Sequence, residues 1–193
     1  EKFGPDYRFA FFPSLSIGWM ISEEKFMKNL KFIDMLKIRG SWGRIGDDNV
    51  GGRFLYKDQL SNGGNTVMGS INPDNSPYTF WKTSSLGNPN ISWETVEKRN
   101  IGLDYAFFNG LIAGSVDIFN DVRTDIIVDG GSRAIPSYFG ATAPKANLGK
   151  VNSHGYELEL RLNHIFNNGL RAWLNTSMTH AINEIKFRDD APL

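Results

Sequence analysis

Asn100-Ile101-Gly102-Leu103-Asp104-Tyr105-Ala106-Phe107-Phe108-Asn109-Gly110-Leu111-Ile112-Ala113-Gly114-Ser115-Val116-Asp117-Ile118 reads as two ribbons joined by a tight reversal. Side chains on a strand alternate between its faces, so a period of two can be read directly. Ile101, Leu103, Tyr105 and Phe107 oppose Asn100, Gly102, Asp104 and Ala106, and Ile112, Val116 and Ile118 oppose Ala113, Ser115 and Asp117. Between them Asn109-Gly110 tolerates the positive φ angles of a type I′ turn, which predicts a β-hairpin.

The same grammar extends in both directions. Phe166-Asn167-Asn168-Gly169-Leu170 repeats the Phe-Asn-Gly-Leu reversal and predicts a second hairpin. Tyr156, Leu158, Leu160 and Leu162 oppose Glu157, Glu159, Arg161 and Asn163, and Leu36, Ile38 and Trp42 oppose Lys37, Arg39, Ser41 and Gly43. From Tyr7 to Ser22 the odd positions Tyr7, Phe9, Phe11, Pro13, Leu15, Ile17, Trp19 and Ile21 are all apolar or aromatic. Pro13 cannot donate to a ladder, so a bulge or strand end is expected there. Leu170 to Ile185 is less regular, with Trp173 on the face of Asn175, Ser177 and Thr179. About six strands result, each expected to reach the roughly 9–11 residues that a tilted membrane strand needs.

Connections fall into two classes. The two Asn-Gly reversals are tight, and Ser22 to about Met35 reads as a short helix with Ser22 as cap, Glu23 and Glu24 at its positive end, and Phe26, Leu30 and Ile33 on one face. Gly43 to about Ser92 and Asp129 to about Asn152 are long and rich in turn residues. Loops beyond about 12–15 residues are uncommon in compact soluble domains. Short turns alternating with long loops is the pattern of an outer-membrane barrel, whose short turns face the periplasm.

A net charge of zero argues against a nucleic-acid binder, which carries a basic excess. Cysteine is absent, which removes disulfide frameworks and thiolate metal sites. No apolar run approaches the roughly 20 residues of a membrane-spanning helix, and a β-barrel needs none. The start at Glu1 and the stop at Leu193 read as breaks in a longer polypeptide.

Alternation alone leaves two architectures open, a lipid-facing barrel and a soluble β-sandwich with a carbohydrate-binding role. Long strands, alternating loop lengths and aromatics beside the tight turns (Tyr105, Phe107, Phe108, Phe166, Trp173) favour the barrel and its interfacial girdle. An open sheet of six strands has two edges. Each unpaired backbone group in hydrocarbon costs several kcal/mol, so the segment is expected to need further strands to close.

Four phrases then carry a family resemblance. They are Phe11-Phe12-Pro13-Ser14-Leu15-Ser16-Ile17-Gly18-Trp19 with Ile21-Ser22-Glu23-Glu24; Leu36-Lys37-Ile38-Arg39-Gly40-Ser41-Trp42-Gly43 with Gly46-Asp47-Asp48-Asn49; Asn88-Pro89-Asn90-Ile91-Ser92-Trp93-Glu94 leading to Asn100-Ile101-Gly102-Leu103-Asp104; and Asn147-Leu148-Gly149-Lys150-Val151 with Gly155-Tyr156-Glu157-Leu158-Glu159-Leu160. In this order they resemble the C-terminal half of SusC/RagA-type TonB-dependent outer-membrane transporters. The resemblance implies an all-β fold, with residues 1–193 forming part of a large antiparallel transmembrane β-barrel of about twenty-two strands. About six of those strands lie here, with one short helix in a periplasmic turn, and the plug domain and remaining strands are expected outside this chain. It implies import of oligosaccharides or peptides across the outer membrane of a Bacteroidetes-type bacterium. Energy would come from TonB acting through the plug, with a SusD-like surface lipoprotein as lid. Outer-membrane lipid is then a partner and nucleic acid is not.

No cofactor, metal or catalytic site is expected. His154, His164 and His180 lack convergent ligand spacing. Asp47-Asp48-Asn49 offers hard oxygens but reads as turn chemistry after Gly46. Glu157 and Glu159 beside Arg161 read as a lumen-facing polar row rather than a hydrolytic pair. The candidates for substrate contact are the loop aromatics Tyr78, Phe80, Trp81, Tyr138 and Phe139, which can stack on sugar faces or anchor a protein partner.

Overall fold

A computed structural model describes residues 1–66 and 78–189. In chain order its strands are β1 (Ser14–Met20), β2 (Ile33–Asp47), β3 (Gln59–Thr66), β4 (Tyr78–Ser85), β5 (Glu94–Phe107), β6 (Ile112–Val128), β7 (Ala146–Ile165) and β8 (Arg171–Phe187). Six form one antiparallel sheet in the order β1-β2-β5-β6-β7-β8, and among the described residues β3 pairs with β4 alone. The sheet is open, with β1 and β8 as its edges.

Directly paired residues share a face, so the register extends the sequence alternation across the sheet. One row runs Ile17, Gly40, Ile101, Ile118, Tyr156, His180, and the next Trp19, Ile38, Leu103, Val116, Leu158, Met178. The opposite face carries Gly18, Arg39, Gly102, Asp117, Glu157, Thr179, and beside it Met20, Lys37, Asp104, Ser115, Glu159, Ser177. No second layer of described residues covers the apolar face: Ile17, Ile101 and Ile118 are 75%, 67% and 62% exposed. At about 4.8 Å between strands and about 3.3 Å per residue, the bare area is on the order of 500 Å². That reaches the upper end of the patches an ordinary soluble surface shows. The sandwich alternative needs a covering sheet here, and the described residues supply none.

Several expectations are corrected. The first strand begins at Ser14, not Tyr7, and Tyr7 lies in a 3-10 turn (Pro5–Tyr7). Pro13 does mark the strand end. Its carbonyl still accepts from the Arg44 amide, and the chain then turns so that the Phe12 ring lies against Trp93 at 5.5 Å and over Gly46. β1 has 7 residues, short of a full membrane strand. The connection after it is helical only at Ile21–Glu23, one 3-10 turn, and Ser22 makes no cap bond. Turns spaced three residues apart follow as far as Ile33, where β2 begins and pairs with Phe107.

The two Asn-Gly reversals also differ. Asn109 and Gly110 have φ of 54° and 76°, and the Leu111 amide bonds the Phe108 carbonyl at 3.2 Å, as a type I′ turn requires. In the second hairpin only Gly169 is left-handed, so a type I turn with a glycine bulge replaces the expected type I′. The span read as a loop from Gly43 to Ser92 contains the end of β2 and the β3–β4 hairpin, with 67–77 outside the described residues. The second long loop ends earlier than Asn152, at the start of β7. Trp173 pairs with Asn163 on the polar face and so leaves the apolar girdle, which retains Tyr105 and Phe107 with ring centroids 5.6 Å apart.

Candidate functional site

Two regions can do chemistry, the polar face and the loop cluster at the long-loop end. On the polar face, Arg39 of β2 donates from Nε to Asp104 of β5 at 3.2 Å and from Nη2 to Asp117 of β6 at 2.5 Å. Gly102 makes this reach possible. A Cβ there would lie 2.7 Å from Arg39 Cζ and 2.8 Å from Asp117 Oδ1, so a larger residue would displace these side-chain ends from where they now meet. Asp117 is 8% exposed, and the pair neutralises a carboxylate that the fold has largely removed from water. Glu159 of the expected polar row pairs with Arg161 at 3.2 Å, and elsewhere on this face Lys98 pairs with Asp121 across strands. Towards the short-turn end, Arg161, Asn163, Arg171, Trp173 and Asn175 line a polar recess of about 470 Å³.

The long-loop end is built around a small core of Phe3, Val50 and Ile91, with Trp93, Tyr7, Leu55, Tyr56 and Ile127 packed on it. Ile91, fully buried, comes from the Asn88–Glu94 phrase, whose remaining side chains act as fasteners. Asn88 Nδ2 donates to the Lys145 carbonyl, Glu94 Oε1 accepts from the Ile127 amide, and the Trp93 indole donates to the Tyr7 carbonyl, each at 2.9 Å. Ser92 and Asn147 bond one another twice. Two of the phrases quoted above thus meet in space. At the N-terminal side, Tyr56 OH donates to Glu1 at 2.8 Å, and that bond, followed by the Arg8 charge, holds the Glu1 carboxyl below its usual range.

Asp47 accepts from the Asn49 amide at 2.9 Å, and Asp48 pairs with Lys2 at 2.9 Å. These carboxylates are engaged in a turn and an ion pair. Among the described residues no group of three or more His, Asp or Glu side chains gathers as a metal cluster.

The aromatic candidates lie in two loops. Tyr78 and Phe80 share one face of β4, Trp81 takes the other, and Tyr138 and Phe139 sit in a 3-10 turn between β6 and β7. Phe80 packs over Gly63 on the paired strand, where a Cβ would meet its ring at 2.2 Å. Trp81 and Tyr138 are 65% and 89% exposed. The Arg39 cluster and Trp173 were missing from the sequence candidates. Alternation assigns them to the polar face, but only register shows that Arg39 and Asp117 lie in one row.

Comparison with known proteins adds to this geometry. The family model described as "TonB dependent receptor-like, beta-barrel" matches residues 2–192. SusC, a TonB-dependent receptor of Bacteroides thetaiotaomicron, is 30% identical over 191 residues, covering 96% of this chain and 18% of SusC. A TonB-dependent receptor of Formosa agariphila is 31% identical over 187 residues, covering 95% and 16%. The RagAB peptide importer in its closed-closed state superposes with a TM-score of 0.79 at 22% identity, over 97% of this chain and 19% of that one. The open-open state gives 0.79 at 22% over 95% and 19%. The chain therefore spans under a fifth of the length of the relatives it matches. A single-layer sheet with one bare apolar face, and a family match along nearly its whole length, place the chain in the TonB-dependent receptor β-barrel family, with SusC and the RagAB importer among the proteins it is similar to.

Proposed function

We propose that this chain is part of the wall, with extracellular loops, of an outer-membrane importer of oligosaccharides or peptides in a Gram-negative bacterium of the Bacteroidetes type. The bare apolar face opposite a charged face carries the reading, because a closed barrel puts lipid against one and water against the other. Strand length supports it. β6 needs about 10 residues to cross, so the remainder of its 17 stands above the membrane and lifts the loop cluster clear of it. Residues 1–193 are one segment of the barrel domain, and further strands and the plug belong to the rest of the protein.

Transport rather than catalysis follows from the family. TonB acts through the plug, and a SusD-like lipoprotein covers the extracellular mouth, in keeping with the SusC relative and the RagAB fold. Tyr78, Phe80, Trp81, Tyr138 and Phe139 offer aromatic faces to cargo or to that lid. The test is deletion of the receptor gene, followed by growth on single oligosaccharides and on peptides. Loss of growth on a restricted set, restored by the full-length protein found in the outer-membrane fraction, supports the reading. Unchanged growth on every source, with the protein in the aqueous fraction, contradicts it.

A further inference from the structure

One further row on the polar face differs from those already described. Register aligns Ile45, Val96, Arg123, Val151 and Ile185 across β2, β5, β6, β7 and β8, so a single cation stands among four aliphatic side chains. Ile45 and Ile185 are 51% and 64% exposed, and Arg123 is exposed between them. The row below it carries Lys98, Asp121, Ser153 and Asn183. Those four residues, with Arg123, Val96 and Val151, line a recess of about 460 Å³. That volume falls within the roughly 300–1,000 Å³ of small-ligand sites.

Charge in the recess is unbalanced. Arg39, Arg161 and Lys98 on this face each hold a carboxylate, and Lys98 occupies Asp121. The neighbouring acids are also engaged: Glu94 accepts from the Ile127 amide at 2.9 Å, and Asp125 from the Thr124 hydroxyl at 3.1 Å. Among the described residues the Arg123 guanidinium has no ion pair. Aliphatic flanks also strip part of its hydration, which strengthens its attraction for an arriving anion.

The position suits cargo. From Ile112 to Arg123 is about 36 Å along β6, or about 26–28 Å along the membrane normal at the usual tilt. The apolar band of a barrel is about 25 Å tall. The recess therefore opens at the outer rim of the band, on the water side and below the loop core that Ile127 joins.

We infer that this recess binds the C-terminal end of a peptide cargo, which rests on the importer reading above and selects peptides from its two cargo classes. The terminal carboxylate pairs with Arg123, whose planar fork matches two carboxylate oxygens. The last side chain lies along Val96 and Val151, and Ser153 and Asn183 hydrogen-bond the peptide backbone. A neutral oligosaccharide brings no charge for Arg123, and sugar faces stack on aromatic rings rather than on an aliphatic row.

The test uses the full-length receptor, purified in detergent with any lipoprotein that accompanies it. It is offered pools of random octapeptides without acidic side chains, with free or amidated C-termini, and a pool of oligogalacturonates. Retained ligand is read by mass spectrometry after gel filtration. Wild type should retain free peptides about tenfold over amides, the scale of a charge-assisted bond, and over the sugar acids. Arg123→Gln should erase that preference and Arg123→Lys restore part of it. Val96→Thr with Val151→Thr should keep the carboxylate preference but lower the share of peptides ending in Leu, Ile or Val. Arg99→Gln, on the other face, should behave as wild type, and altered migration on heating should show that each barrel is folded. Equal retention of free and amidated peptides (nil included), a preference that survives Arg123→Gln, or retention of oligogalacturonates alone overturns the site. An unchanged share in the threonine variant overturns the aliphatic seat. Receptor in the outer membrane that is needed only for growth on oligosaccharides overturns this site alone. Receptor in the aqueous fraction overturns the importer reading with it.

Discussion

Asn147 and Ser92 exchange two hydrogen bonds of 2.9 Å, Ser92 N–H to Asn147 Oδ1 and Asn147 Nδ2 to the Ser92 carbonyl. The same Nδ2 donates to the Asp125 carbonyl at 2.7 Å, at a residue with φ of 58° beside the register shift in β6. One amide thus fixes a strained bulge and joins the connections on either side of β5 and β6. Asn147→Ala should loosen the long-loop cluster by about 2–3 kcal/mol, from roughly 1 kcal/mol per bond. Asn147→Asp should do no better, since a carboxylate would face two carbonyls without a donor. Limited proteolysis of the full-length receptor checks this, with new cleavage expected near residues 48–58 and 86–93.

Gly102 is the second point of leverage. Gly102→Ala should displace the Arg39 guanidinium and lengthen its bond to the nearly buried Asp117 carboxylate. A cost of about 1 kcal/mol is expected, the scale of one weakened hydrogen bond, because both partners remain and can shift. Adding Asp117→Asn should recover much of it. Urea unfolding of the reconstituted barrel reads both values.

The two hairpin aromatics should separate by role. Phe80 lies over Gly63, so Phe80→Ala should loosen β3–β4, whereas Trp81 stands out on the other face. Trp81→Ala should weaken cargo or lid binding by about tenfold without altering proteolysis of the hairpin, the scale of an exposed aromatic anchor. Titration calorimetry against the cargo identified by the growth assay, with proteolysis in parallel, distinguishes the outcomes.

Charge on the apolar face should be poorly tolerated. Ile118→Arg is expected to cost about 2–4 kcal/mol near the bilayer midplane, while Ser115→Arg on the polar face should be close to neutral. Yields of folded receptor in outer-membrane fractions, and unfolding midpoints, report the difference.

The sheet was legible in the sequence because a period of two and an Asn-Gly turn are local signals, as Ile101–Phe107 and Ile112–Ile118 show. What was not legible depends on partners. Phe9 and Phe11 continue the alternation of Leu15 and Ile17, yet the packing of Phe12 on Trp93 and Gly46 takes the chain out of the sheet. Phe26 and Leu30 have helical spacing, yet the connection closes only successive three-residue turns, from Ile21 to Ile33, and no helix beyond Ile21–Glu23 forms. Among the site residues, the loop aromatics stood out by type. Arg39, Gly102 and Asp117 come from three strands, and nothing short of register aligns them.

The most direct measurement places nitroxide labels, one at a time, at positions 112–120 of the full-length receptor in bilayers; this segment brings no native cysteine to interfere. Accessibility to oxygen and to a water-soluble nickel chelate is then read at each. Oxygen contact should peak at Ile112, Val116 and Ile118 and chelate contact at Ala113, Ser115 and Asp117. Equal exposure to the chelate on both faces, or apolar positions closed to both reagents, would contradict lipid as the cover of the apolar face.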